Sequence, residues 1–183
     1  MFRYGASNEL DVQQAQALLL GTEPGDLFTV RNVANLVPPY APDDSHHSTS
    51  AALEFAVRDL KVRHIVVLGH SACGGIQALR AAVAGTPPQR EFIAPWVEIA
   101  GAACRSDGTG VMAEQESVEQ DAIRISLANL QGFPWVVERV AAGDLMLHGW
   151  WVDLDQGRLV EVRPDGGTAD LVSVAEGIRG AAD

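Results

Sequence analysis

The stretch that decides the fold is His64-Ile65-Val66-Val67-Leu68-Gly69, followed directly by His70-Ser71-Ala72-Cys73-Gly74-Gly75. The first part is a nearly continuous apolar run of strand length, the pattern of a strand buried on both faces in a parallel sheet. The two glycines open a segment of helical periodicity that reaches about Val83, where Gly85-Thr86-Pro87-Pro88 stops it. A helix that follows a buried strand so closely is typical of α/β sheets.

The flanking segments continue this alternation of strands and helices. Upstream, the residues predict strands at Phe2 to Ala6 and Leu27 to Ala34, and a helix from Ser48 to Leu60. Downstream, helical patterns cover Glu91 to Cys104, Met112 to Leu130 and Pro134 to Gly143. A closing hairpin follows, with strands at Leu145 to Leu154 and Arg158 to Val162. The sequence predicts an open, mostly parallel β-sheet flanked by helices, with an antiparallel edge strand, in a single domain over residues 1–183.

Composition narrows the range of functions. The chain has 183 residues, of which 47% are hydrophobic and 20% charged, as in globular proteins with a packed core. Its net charge of −11 argues against partners such as nucleic acid or an anionic membrane surface. No apolar run approaches the roughly 18 to 20 residues of a membrane helix, and the N-terminus has no secretory pattern. We therefore expect a cytoplasmic protein without nucleic-acid or membrane partners.

His70 and Cys73 are the residues with the clearest chemical potential. In open α/β sheets the reactive site lies outside the carboxyl ends of the strands, which is where this His-x-x-Cys falls. A thiol in the first turn of a helix is biased toward thiolate, and with an imidazole nitrogen it suits a borderline-soft ion such as zinc. Two ligands alone do not define a metal site. The alternative is a buried thiol beside a histidine satisfied by the backbone.

Five stretches resemble the β-class carbonic anhydrases in order and spacing. They are Arg31-Asn32-Val33-Ala34-Asn35-Leu36-Val37-Pro38, Ser50-Ala51-Ala52-Leu53-Glu54-Phe55-Ala56-Val57, Gly69-His70-Ser71-Ala72-Cys73-Gly74-Gly75, Leu127-Ala128-Asn129-Leu130 with Phe133-Pro134, and Leu147-His148-Gly149-Trp150-Trp151-Val152-Asp153. The likeness covers about residues 21 to 163. It implies a Zn²⁺ cofactor held by His70 and Cys73, with Gly74 and Gly75 as a backbone wall close to the metal.

The resemblance leaves the upstream part of the zinc site altered. The family carries a Cys-x-Asp-x-Arg motif there, and a gapless register places Glu9, Asp11 and Gln13 on its three positions. Asp11 then becomes the third metal ligand or the catalytic orienting group, and Glu9 a possible fourth ligand. An alignment on Gly5 instead puts non-ligating residues at the same positions, namely Ala6, Asn8 and Leu10.

The resemblance implies a zinc lyase that reversibly hydrates carbon dioxide to bicarbonate. Because the Cys and Arg of the upstream motif are missing, we expect activity below that of an intact family member. The alternative is a catalytically inactive relative that serves as a binding or assembly module. A further alternative is hydrolysis of another small linear heterocumulene at the same metal. The resemblance also implies a homodimer or higher homo-oligomer that associates through an apolar surface near the first two strands.

The remaining notable side chains are expected to have structural roles or to lie in solvent. We expect His46-His47 to be a solvated pair, His148 to be satisfied by backbone, and Cys104 to be a small core residue. The tryptophans are expected to serve packing or a subunit interface, at Trp96, Trp135, Trp150 and Trp151. Candidates for an apolar wall facing carbon dioxide are Phe28, Val33 and Tyr40.

Overall fold

The computed structural model describes residues 22, 25–87, 89–104 and 113–173. Its helices are α1 (Ser48–Glu54, continued by a π-helical turn at Phe55–Asp59), α2 (Gly74–Val83), α3 (Ile93–Val97, continued as a 3₁₀ helix at Glu98–Cys104), α4 (Gln115–Leu130) and α5 (Pro134–Ala141). Its strands are β1 (His64–His70), β2 (Met146–Asp153), β3 (Arg158–Val162) and β4 (Thr168–Ser173). None of the described helices has the length and apolar character needed to cross a bilayer.

The four strands form one open sheet in the order β1-β2-β3-β4. β1 and β2 run parallel, in register from His64 opposite Met146 to His70 opposite Val152. The other two pairings are antiparallel, so the described sheet is mixed. The predicted open α/β sheet, its flanking helices and its closing hairpin are confirmed. The antiparallel edge strand is β4, which the sequence analysis missed although Asp165-Gly166 is a strong hairpin signal.

The predicted strand at Leu27 to Ala34 is wrong. Residues 27–32 have no regular secondary structure, and Val33–Asn35 is a 3₁₀ turn. The Asn32 side chain closes this turn by accepting from the Leu36 amide at 3.0 Å and donating to the Leu36 carbonyl at 2.8 Å. Ala34 and Asn35 have positive φ, which ends any extended run. The other upstream strand, predicted at Phe2 to Ala6, lies outside the described residues.

The larger hydrophobic core lies between one face of the sheet and the helices α1, α4 and α5. Its members are Leu53, Val57, Val67, Ile123, Leu127, Leu130, Phe133, Val136, Leu145, Trp151, Val160 and Val162. Helix α4 approaches β2 so closely that a Cβ on Gly149 would lie 2.8 Å from both Ile123 Cγ2 and Leu127 Cδ1. Glycine at this position therefore sets the spacing between helix and sheet. A second cluster around α2 and the 3₁₀ segment adjoins this core.

The opposite face of β1 and β2, here called the open face, carries His64, Val66, Leu68, Met146, His148 and Trp150, as strand alternation requires. None of these six side chains belongs to either core cluster. Val66 and Met146 are 37% and 51% exposed. The sheet therefore has one packed face and one apolar face that the described helices leave accessible.

His148 lies on the open face beside His64. The imidazole nitrogens His64 Nδ1 and His148 Nε2 are 3.1 Å apart, and Trp150 flanks the pair with its ring centroid 5.9 Å from that of His148. The expected backbone partner of His148 was therefore wrong, because its partner is another side chain. Burial and the charge of His64 lower the pKa of His148, and Glu161 opposes this shift only partly.

This pair predicts a pH-dependent contribution to stability. A lowered pKa in the folded state means that the unfolded chain binds the proton more readily, so the free energy of unfolding decreases as the pH falls through the ordinary histidine value. We expect His148→Gln to weaken this dependence in denaturant titrations between about pH 8 and pH 5. His46→Gln, in an exposed loop, is the matched control. A pH dependence equal in wild type and His148→Gln would contradict the prediction.

Candidate metal centre

His70 is the last residue of β1 and is only 9% exposed. Its Nδ1 donates to the carbonyl of Ser71 at 2.9 Å, which orients the ring and leaves Nε2 as the nitrogen with a free lone pair. The loop after it is fixed to β2, because the Ser71 amide donates to the Val152 carbonyl and the Leu154 amide donates to Ser71 Oγ, each at 2.9 Å. The imidazole is therefore held in one orientation at the carboxyl edge of the sheet.

Cys73 is the N-cap residue of α2 and is 1% exposed. The chain reaches it through Ala72, whose φ of 55° is left-handed and costs about 1–2 kcal/mol for a residue with a Cβ. The Gln77 amide donates to the Cys73 carbonyl at 3.0 Å and closes the first helical turn. This backbone turns the thiol back toward the end of β1, at the positive end of the α2 dipole.

The side chains of His70 and Cys73 meet. Burial alone would lower the pKa of His70. The hydrogen bond and the charge of Cys73 oppose this effect, and so do the Ser71 carbonyl and the charge of Glu119. Together they outweigh burial and raise the pKa of His70. The structure thus brings together an imidazole and a thiol that the sequence analysis predicted to share one pocket. An imidazole nitrogen and a thiolate sulfur are two of the donors that zinc prefers.

A carboxylate that the sequence analysis missed lies directly behind this pair. Glu119 on α4 is 3% exposed, and its Oε1 accepts from the Cys73 amide at 2.9 Å and from Gln115 Nε2 at 2.7 Å. Its Oε2 accepts from Trp151 Nε1 at 3.1 Å. The sequence could have indicated Glu119 by its position on the buried face of α4, between Val118 and Ala122, because a carboxylate is unusual there.

Gly75 is the glycine that allows close packing at the site. A Cβ there would lie 2.7 Å from Val33 Cγ1 and 2.9 Å from Ala34 Cβ, whereas a Cβ on Gly74 would meet nothing within 4 Å. The expected backbone wall is thus a property of Gly75. Of the proposed apolar wall residues, Val33 adjoins this glycine. Phe28 and Tyr40 instead pack on the aromatic rings of Phe55 and Phe133.

The other ligands predicted from the sequence lie upstream of the described residues. Asp11, with Glu9 and Gln13, lies outside the described residues. Within residues 22, 25–87, 89–104 and 113–173, no three His, Cys, Asp or Glu side chains are grouped so as to hold a metal ion. His47 instead pairs with Asp43 at 2.7 Å, and that hydrogen bond contributes most to lowering the pKa of Asp43 to about 2.

The packing interpretations of the other side chains are largely confirmed. Cys104 is a buried member of the second core cluster, and burial raises the pKa of its thiol. Trp96 donates from Nε1 to the Val33 carbonyl at 2.7 Å, and Trp135 packs against Phe133. Trp151 both fills the main core and reaches Glu119.

A cleft of about 480 Å³ opens beside the His70–Cys73 loop. Its lining includes Arg80 together with four carboxylates, at Glu116, Glu119, Asp153 and Asp155. The excess of negative charge disfavours an anionic ligand there. The cleft is therefore a poor site for an anionic substrate or product.

The fold and this pair define a class of protein: an open α/β sheet with an imidazole and a thiol at the carboxyl end of the parallel strand β1. The sequence model of the family described as carbonic anhydrase matches residues 10–159. The chain belongs to the carbonic anhydrase family, and its relatives place it in the β class.

Two relatives from Arabidopsis thaliana show this similarity. Beta carbonic anhydrase 5, chloroplastic, is 42% identical over 146 residues, which are 76% of this chain and 47% of the relative. Beta carbonic anhydrase 3 is 38% identical over 154 residues, which are 80% of this chain and 59% of the relative. The chain thus spans about half the length of these relatives.

Solved structures agree with this assignment. The β-carbonic anhydrase CcaA superposes with a TM-score of 0.74 at 28% identity, over 86% of this chain and 72% of that one. A tetrameric β-carbonic anhydrase from Sordaria macrospora gives 0.66 at 30% identity, over 84% and 75%. The resemblance and the fold predicted from the sequence are both confirmed.

The contrast between the two glycines gives a prediction about the site. Gly75→Ala is expected to reduce the free energy of unfolding by about 1–3 kcal/mol, because its Cβ overlaps Val33 and Ala34. Gly74→Ala, in open space one residue earlier in α2, should be neutral or stabilising by up to about 1 kcal/mol. Urea denaturation of both variants measures the difference. Equal stabilities would show that the Val33–Asn35 turn does not pack against Gly75 as described.

Proposed function

We propose that this chain catalyses the reversible hydration of carbon dioxide to bicarbonate at a zinc ion held by His70, Cys73 and Asp11. The observation that carries the proposal is the His70–Cys73 pair, with the imidazole Nδ1 bonded to the Ser71 carbonyl and the thiol at the start of α2. Membership of the carbonic anhydrase family supports the same reaction.

The donor chemistry of the pair fits zinc. Catalytic zinc commonly has three protein ligands and one open position, and imidazole nitrogen and thiolate sulfur are two of its usual donors. The third donor in this proposal is Asp11, assigned from the gapless register. When bound, zinc supplies a nucleophile at neutral pH by lowering the pKa of a water ligand to about 7.

The chain's own residues perform the positioning. The Ser71 carbonyl fixes the imidazole tautomer, and the two hydrogen bonds of Ser71 to β2 fix the loop. Burial of both donors limits competition from bulk water. Hydration joins a water oxygen to the carbon of carbon dioxide and releases one proton. The acidic cleft beside the loop would repel bicarbonate, which therefore leaves on another side.

A second function is favoured by one observation. The described residues bring two metal donors together, and the upstream motif has Glu9 and Gln13 where the family has Cys and Arg. A chain with an incomplete donor set could retain the fold as a binding or assembly module. Metal content and turnover distinguish the two functions.

We expect the purified chain, dialysed against zinc, to retain about one ion per chain and to hydrate carbon dioxide. Cys73→Ser and Asp11→Asn should each lower zinc retention and hydration by about 10-fold or more, because each removes an anionic ligand. Metal analysis and stopped-flow hydration measure the two properties. Cys104→Ala is the control, since this second buried cysteine lies in the core.

The outcomes separate the alternatives. Wild type that binds zinc but does not hydrate carbon dioxide would support the binding module. Wild type that retains no zinc, or hydration unchanged in Cys73→Ser, would overturn the proposed zinc enzyme.

We further propose that the active form is a homodimer or a higher homo-oligomer. The open face supports this, because apolar Val66 and Met146 are exposed on it beside the half-buried Trp150. Phe28 and Phe55 add further exposed aromatic surface. Apolar patches of this kind are uncommon on monomers and typical of subunit interfaces. The Sordaria macrospora relative is a tetramer.

Sedimentation equilibrium should give at least twice the 19.5 kDa of one chain at micromolar concentration. Val66→Glu should shift the species to the monomer, because it places a charge on the open face. Val83→Glu is the control, since Val83 is also exposed but lies at the end of α2. A wild-type monomer, or dissociation by both variants, would contradict association through the open face.

A further inference from the structure

Glu119 is a buried carboxylate that the proposed reaction does not use. Among the described residues, three hydrogen-bond donors reach it, from the start of α2, from α4 itself and from β2, through Cys73 N, Gln115 Nε2 and Trp151 Nε1. Gln115 Nε2 also donates to the Cys73 carbonyl at 3.3 Å. Glu119 and Gln115 therefore hold both the amide and the carbonyl of the cysteine.

We propose that Glu119 is a positioning residue of the zinc centre, which fixes Cys73 and supplies a negative charge behind the two metal donors. The proposal rests on the zinc site proposed above. Glu119 itself is not assigned as a ligand, because both its oxygens are engaged by N–H donors.

The first argument is geometric. The Cys73 amide is one of the N–H groups at the start of α2 that lack a partner within the helix. In a capping box the N3 side chain accepts from the N-cap amide, but N3 of α2 is Ile76, which has no acceptor. Glu119 replaces this cap from a different helix. The thiol is thus left free to face His70 while its backbone is held from behind.

The second argument is electrostatic. Burying a carboxylate is costly unless it is hydrogen-bonded or paired with a cation. The donors to Glu119 are all neutral N–H groups, and no ion pair between described residues includes it. A divalent cation on His70 and Cys73 would supply the missing positive charge nearby. Metal binding and the burial of Glu119 should therefore stabilise each other.

The test compares the zinc affinity of wild type and Glu119→Gln by competition with a chelator. The variant keeps the size and one acceptor for the Cys73 amide, but it loses the charge and places an amide opposite Trp151 Nε1. We expect zinc affinity to fall about 10–100-fold, the usual loss when a partner of a metal ligand is changed. Ser126→Ala, a buried polar change on the same helix that touches the Val33–Asn35 turn, is the control. The zinc affinity of Ser126→Ala should stay close to that of wild type.

Cobalt substitution gives a readout that a general loss of stability would not change. The thiolate-to-cobalt absorption band reports on the electrons of the Cys73 sulfur, which feel the charge of Glu119. We expect the band to shift in Glu119→Gln and to stay unchanged in Ser126→Ala. An unshifted band, a zinc affinity within about twofold of wild type, or an equal loss of affinity in the control would overturn the proposal.

Three further outcomes can also be interpreted. If Glu119→Gln does not fold, as judged by circular dichroism, Trp151→Phe replaces it, because it removes one donor to Glu119 and keeps most of the buried ring. A smaller loss of zinc affinity then supports the proposal, and no loss overturns it. Zinc binding without hydration would overturn the proposed reaction and leave this inference in place. Absence of zinc binding by wild type would overturn both.

Discussion

The parallel pairing of β1 with β2 is the constraint on which the site depends. It places the end of β1 opposite Val152, so the Ser71 amide and hydroxyl bond the end of β2. This fixes the direction in which the chain leaves the sheet and therefore where α2 begins. Both metal donors lie within this short segment, so the site inherits its geometry from the ladder of backbone hydrogen bonds. Side-chain packing of α4 on the sheet, through Ile123 and Leu127, keeps that ladder in place.

The site combines locally unfavourable features with stabilising contacts from distant elements. Ala72 adopts a left-handed conformation that its own residue type disfavours, and Glu119 is a buried charge. Both are compensated by contacts from distant parts of the chain, at α4 and β2. A conformation that is unfavourable locally and supported from several elements is the pattern found at functional sites. It also agrees with the membership of the chain in a family of metalloenzymes.

The sequence predicted those secondary-structure elements that are determined by residues close together in the chain. β1, α2 and the hairpin of β2 and β3 follow from an apolar run, a glycine-led helical period and a turn glycine at Gly157. The strand at Leu27 to Ala34 failed because β-prone residues form a strand only when another strand pairs with them. His70 and Cys73 were found because they are three residues apart. Glu119 was missed because its contact with Cys73 spans 46 residues, and no local pattern encodes it.

The loop that contains Ala72 has a consequence for metal binding at the proposed site. A glycine would adopt its φ of 55° without strain, but it would also let the loop sample many other conformations. Alanine disfavours this conformation, so the loop is held mainly by the hydrogen bonds of Ser71 to β2. An ion at the proposed site would meet two donors that are already ordered, so less conformational entropy would be lost on binding. The proposed site would therefore be largely preformed before an ion binds.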